Sequence, residues 1–140
     1  MTHAAEFESS VAQTNAWIED LAQRLNWHDR EKVYRALIAA LHALRDNLPW
    51  DEAVRVGAYL PTMLRGIFYE GWRPNSRPLS NGGRDAFLER IHASIHHDPG
   101  VDPELVARAL FALLAGRLQE ADLEETRALT PKPLHGLWPQ

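Results

Sequence analysis

The chain has 140 residues with no cysteine, 45% apolar and 24% charged residues and a formal net charge of −4. That length fits one domain, and a core covering roughly two thirds of the unfolded chain's surface needs no disulfide or metal staple. The absence of cysteine excludes disulfide frameworks and thiolate metal sites. The acidic balance, with no clustered basic run, speaks against nucleic acid as a partner.

The start, Met1-Thr2-His3-Ala4-Ala5-Glu6, has neither a basic n-region nor an apolar h-region and is not expected to be a signal peptide. The longest mostly apolar stretch, Ala36 to Leu44, is interrupted by His42 and too short to span a bilayer. A soluble, cytoplasmic protein without membrane contact is expected.

Trp17, Ile18, Leu21 and Leu25 recur at three- and four-residue steps, which predicts a helix over residues 9–25 with Ser9 or Ser10 as its cap. Asp29, with Glu31 after it, is placed to cap a second helix, where acidic groups meet free N–H groups and the positive dipole end. Val33, Leu37, Leu41, Leu44 and Leu48 form its stripe, widened by Ile38, and Pro49 ends it. A third, short helix is expected over residues 51–60, with Ala53, Val54, Ala58 and Leu60 facing inward. Leu60-Pro61 breaks it. Pro61 suits the first turn of a fourth helix with Met63, Leu64, Ile67 and Phe68 on its apolar face, and Gly71 is the expected stop. Residues 72–84 carry turn chemistry throughout and read as a linker.

The pattern then begins again. Phe87, Leu88, Ile91 and Ile95 follow Trp17, Ile18, Leu21 and Leu25 at an offset of 70 residues, and Ala86 and Glu89 follow Ala16 and Glu19. A three-residue insertion near Asp98-Pro99-Gly100-Val101 changes the offset to 73. Asp102, Glu104, Val106, Arg108, Leu110 and Leu114 then answer Asp29, Glu31, Val33, Arg35, Leu37 and Leu41. A compensating deletion restores 70, where Pro131, Leu134, Gly136 and Leu137-Trp138 answer Pro61, Leu64, Gly66 and Ile67-Phe68. Chance similarity between Ala/Leu-rich helices explains one such block less strainedly than three in order with their caps and breaks. The expected fold is therefore all-α: a single domain, 1–140, holding an internal repeat (7–71 and 79–138, linker 72–84). Its helical bundle would consist of two repeated three- or four-helix halves related by an approximate two-fold axis.

The run Leu41-His42-Ala43-Leu44-Arg45-Asp46-Asn47-Leu48-Pro49-Trp50-Asp51-Glu52-Ala53 carries a pattern of the form L…LRD.LP..EA. The run Leu60-Pro61-Thr62-Met63-Leu64-Arg65-Gly66-Ile67-Phe68, followed by Trp72, carries LP..LRG.F…W. Together they resemble a bacterial family of uncharacterised proteins, domain of unknown function 2267, over about residues 7–138. The resemblance implies an all-helical fold and brings no activity, substrate or cofactor with it. The second half departs from the pattern: Thr130-Pro131 replaces Leu-Pro, and Pro133 interrupts the closing helix, so the last element is expected to be short and irregular.

No catalytic constellation is visible. His92 and His96, four apart on a helix and followed by His97 and Asp98, are the nearest approach to a metal site, but nothing in the spacing supplies a third ligand. A polar helix end, where a cationic histidine suits the C-terminal dipole, is the preferred reading. Glu31/Arg35 and Glu104/Arg108 are i,i+4 pairs in the favourable order, read as surface salt bridges rather than an anion grip. The carboxylates Glu19, Asp20, Asp46, Asp51, Glu52, Glu120, Asp122, Glu124 and Glu125 read as caps or solvated faces, with no pair converging for acid–base work. No Gly-x-Ser-x-Gly elbow or phosphate-binding loop occurs.

Five tryptophans remain. Trp17 lies on an apolar face. Trp27, Trp50, Trp72 and Trp138 sit at helix ends, where a ring either closes the core or forms a contact surface. Tyr69, Trp72, Arg73 and Arg77 form the candidate interaction surface, with Trp72 as a core plug the competing reading. The functional expectation is a non-enzymatic domain, without cofactor, that binds itself or a protein partner. The alternative is a small-molecule or anion-binding protein, an enzyme among the options, with its site in the groove between the repeats.

Overall fold

The computed structural model describes residues 3–74 and 83–139. Among these residues, seven α-helices and a closing 3₁₀ helix follow in order: α1 His3–Leu25, α2 Arg30–Asp46, α3 Trp50–Tyr59, α4 Thr62–Tyr69, α5 Gly83–Ser94, α6 Pro103–Arg117, α7 Glu120–Leu129 and the 3₁₀ turn Lys132–Leu137. No strand occurs among the described residues. Residues 75–82 of the linker, Arg77 among them, lie outside the described residues.

α2 is the central element. It packs against α1, α3, α4, α5 and α6. Val33, Leu37, Ala40, Leu41 and Leu44 are all fully enclosed. Its start is set by Asp29, whose carboxylate accepts the N–H groups of Glu31 (3.1 Å) and Lys32 (3.3 Å). Asp102 does the same for α6 through Glu104 N–H at 3.0 Å, with Pro103 in the first turn. α1 packs against α2, α4 and α6, while α5 packs against α2, α6 and the 3₁₀ turn. Phe111 and Trp138 stack face to face at 4.2 Å on the α6 side of the core.

Several expectations are corrected. α1 begins at His3, six residues before the expected start, so neither Ser9 nor Ser10 caps it. Ser10 instead accepts the Met63 N–H at 3.0 Å and serves the free donors at the start of α4, where Pro61 offers no side-chain acceptor. Leu25 is followed by Asn26 in the left-handed region (φ 56°), and Trp27 N–H closes back on the Ala22 carbonyl. Gly83 and Arg84, assigned to the linker, open α5. On α3 the inward residues are Glu52, Ala53, Val56 and Gly57, whereas Val54 (43%) and Ala58 are exposed. A ten-residue helix has too few turns for its apolar residues to define a face, and the charge on Glu52 masked the true one. The closing element, expected to be short and irregular, is a six-residue 3₁₀ turn.

Helix ends are tied by two arginines. The Arg45 guanidinium, 6% exposed, donates to the carbonyls of Phe68 (2.9 Å) and Glu70 (2.8 Å) at the end of α4, and grips Asp46 with its other edge (2.8 and 3.0 Å). Asp46 also accepts from Arg90 of α5 at 2.9 Å. Arg65 closes the end of α3 by donating to the carbonyls of Gly57 (2.9 Å) and Leu60 (3.3 Å). His42 sits nearby with Nε2 2.7 Å from the Ile67 carbonyl, and burial pushes its pKa below the ordinary histidine value.

Candidate functional site

Apolar surface faces outward at Phe7 on α1, Leu105 on α6 and Leu129 on α7, and at two positions of α3, Trp50 and Val54, the second of which lies beside the end of α4. Pro49 fixes the entry to α3, and Trp50 is the helix's first residue. Trp50 is 62% exposed, and Val54, one turn on and on the same face of the helix, is exposed too. The end of α4 supplies the backing. Tyr69 stacks on Trp72 at 5.4 Å with an interplanar angle of 21°, and its hydroxyl donates to the Val54 carbonyl at 3.1 Å. Trp72 can turn back onto Tyr69 because Gly71 takes the left-handed conformation (φ 73°) that a side chain would resist.

Gly57 provides the notch that Tyr69 enters. A Cβ there would stand 2.1 Å from the tyrosine oxygen. The Tyr69–Trp72 pair is thus half-buried, packed on the core edge and pinned to α3. Arg73, next in the chain, is exposed. Of the four residues singled out in sequence, the structure brings Tyr69 and Trp72 together and leaves Arg73 beside them at the surface. Trp50, which the sequence offered as either core or contact, is exposed, and Val54 was missed. Their signal was present in the i,i+4 spacing, but Val54 was assigned inward.

The other candidates are more fully accounted for. α5 stops at Ser94, so His92 and His96 do not share a helix face. His96 and His97 are in the left-handed region (φ 58° and 54°), His92 bonds the Asp98 carbonyl, and His97 pairs with Glu89. Among the described residues no group of three or more histidine or carboxylate side chains is arranged to hold a metal ion. A groove of about 570 Å³ lies between the start of α2 and the α5–α6 turn. Several of its polar groups are engaged: Asp29 on backbone N–H groups, Glu31 with Arg35, Asp98 with Gly100 N–H, and Lys32 over the Trp27 ring at 4.3 Å; His96 also lines it. The paired Arg108 holds the Glu104 carboxyl below its usual range, with desolvation working against it. Among the described residues no helix is long and apolar enough to cross a membrane.

A family model described as an uncharacterized conserved protein (DUF2267) matches residues 14–137, which is most of the chain. The chain belongs to the DUF2267 family. No curated protein matches it. The sequence pattern through which this DUF2267 chain resembles its family has structural work in the fold: Arg45 and Arg65 close helix ends, Asp46 anchors Arg45, and Glu52 reaches α7. Each of these four side chains has a hydrogen-bond partner within the fold.

Proposed function

We propose that this DUF2267 domain acts by binding, to a second copy of itself or to a protein partner, and that the α3–α4 corner is its contact face. The observation that carries this reading is the 62% exposure of Trp50, beside Val54, on a helix whose opposite side is core. A tryptophan left in water costs solvation that burial against a partner recovers, and the pinned Tyr69–Trp72 pair loses little side-chain entropy on binding. Arg73 adds a directional donor at the rim.

Trp50→Ala and Trp72→Ala test this face together. Trp50→Ala is expected to shift stability by no more than about 0.5 kcal/mol, as befits an exposed side chain, while weakening association by about 2 kcal/mol if Trp50 is a hot spot. Trp72→Ala is expected to lower both stability and association, because the ring contacts the core edge as well as the surface. Sedimentation velocity over a concentration series, with capture of bound protein, reads association, and urea denaturation reads stability. Unchanged association in both variants would overturn the contact face.

We further infer that the domain consists of two copies of one unit, α1–α4 and α5 to the 3₁₀ turn, about an approximate two-fold axis. Exchanging α1 with α5, α2 with α6, α3 with α7 and α4 with the 3₁₀ turn maps the helix contacts onto themselves. Single bonds follow the same exchange. Arg65 and His135 each bond the carbonyl five residues earlier, Leu60 and Thr130. Glu31–Arg35 and Glu104–Arg108 pair at 3.3 and 3.0 Å. Residues 1–74 expressed alone are expected to fold only as a dimer, a second copy covering the face that α5 and α6 cover in the chain. Analytical ultracentrifugation with circular dichroism checks this, and a folded monomer would refute it.

A further inference from the structure

We propose that the seam between α3 and α7 is a pH-sensitive latch: α7 is held more tightly as the pH falls, and a buried carboxyl group on α3, Glu52, is the switch.

α7 is poorly anchored by apolar burial. Thr126 is its one buried residue, and Leu123 is only partly buried against the core. Polar cross-links to α3 take the place of an apolar face. The Thr126 hydroxyl donates to Glu52 Oε2 at 2.8 Å, inside the seam. Arg55 pairs with Glu125 and stands 3.7 Å from Glu52 Oε1. Asp122 approaches the Tyr59 hydroxyl.

Glu52 is the group whose charge matters, since it is 3% exposed and receives a single hydrogen bond of normal length from a neutral donor. The charged groups acting on it are Arg55 and Asp51 from α3 and Glu125 from α7. Arg55 is shared: its hydrogen bond to Glu125 holds the guanidinium still more firmly protonated, and Glu125 and Asp51 add repulsion. From the other neighbours of α3, Arg65 of α4 is occupied by the Gly57 and Leu60 carbonyls, and Arg45 and Asp46 of α2 are occupied by each other. Burial therefore pushes the Glu52 carboxyl above its usual range, against the pull of Thr126 and Arg55. Tyr59 does not titrate in the same range. Burial first and Asp122 second raise its hydroxyl to about 12, so it stays a neutral donor.

The sign follows from linkage. A carboxyl whose folded pKa lies above its unfolded value binds more protons folded than unfolded in the interval between them. Its contribution is complete below the unfolded pKa and is lost as pH rises through the folded one. With Glu52 ionised, the seam holds a buried anion beside an arginine that Glu125 also engages. One proton removes that charge and leaves the Thr126 bond free to persist, with the hydroxyl donating to the carbonyl oxygen of the acid.

The test compares Glu52→Gln with the parent across pH 5 to 8. Glutamine keeps the shape and an acceptor for Thr126 and carries no charge. Glu52→Gln is expected to melt higher than the parent at pH 8, with the gap closing on acidification as the parent's Glu52 takes up its proton. The comparison cancels His42 and the other titrating groups common to both proteins. Amide-exchange protection factors in residues 120–129 of the parent are expected to rise relative to α2 on acidification, by up to about tenfold per pH unit for a single linked proton. In Glu52→Gln they are expected to stay level. Thr126→Val, which removes the lone donor, is expected to move the parent's transition to higher pH. A melting gap that does not change with pH, or a closing gap with α7 protection level in the parent, would overturn the latch.

Discussion

Arg45→Ala is expected to lower the unfolding free energy by about 3–5 kcal/mol, the cost of removing one member of a buried, hydrogen-bonded ion pair. The guanidinium bonds three acceptor groups at once: the Phe68 carbonyl, the Glu70 carbonyl and the Asp46 carboxylate. Without it, the last carbonyls of α4 lose their partners in a place with restricted access to water, and a cavity opens beside Phe68. Asp46 keeps its 2.9 Å contact with Arg90, so it is not fully stranded, and the loss should fall toward the lower end of that range. Arg45→Lys separates charge from geometry. A lysine restores the positive charge, but its single ammonium cannot span both carbonyls and the carboxylate. It is expected to recover only part of the loss. Urea denaturation with an unchanged m-value is the measurement, and a loss below about 1 kcal/mol for Arg45→Ala would mean that the α4 end is solvated after all.

That arginine also marks where sequence reasoning stopped. Helical periodicity placed the starts of α2 and α6, because Asp29 and Asp102 stand directly before long apolar stripes and both carboxylates cap as expected; α2 ends at Asp46, short of Leu48 and the expected stop at Pro49. The reading of Leu60-Pro61 as a break and Gly71 as a stop also holds, since proline and glycine act through local backbone sterics. Long-range bonds have no local signature. Nothing near Arg45 reveals that its partners are carbonyls 23 and 25 residues away, nor that Ser10 serves α4 across 53 residues.

The candidate site was legible in part for the same reason. The Tyr69–Gly71–Trp72 turn is local, and the pairing of the two rings follows from it. The outward turn of Trp50 and Val54 depends on which side of α3 meets α2 and α7, and that was decided by Glu52, a residue read as solvated and found 3% exposed. A buried carboxylate is legible in sequence only when its partner is near, and Thr126 is 74 residues away.

Leu41→Ala is expected to cost about 2–5 kcal/mol through lost transfer energy and the cavity left behind. Leu41 is 0% exposed and sits in the middle of α2, which is surrounded by α1, α4, α5 and α6. Collapse around the missing atoms would require several of these helices to move together. Each is fixed elsewhere: α4 by Ser10 and Arg45, α5 by the Arg90–Asp46 pair, α6 by its Asp102 cap. Relaxation is therefore small and the cost belongs in the upper half of the range. Leu114, equally enclosed at the corresponding place on α6, is expected to behave alike. Leu105→Ala supplies the contrast on α6, since Leu105 is 58% exposed and its truncation should stay within about 0.5 kcal/mol. Equilibrium denaturation of the three variants checks the set. A loss below about 1 kcal/mol at Leu41 would show that α2 is not the axis on which the other helices are packed.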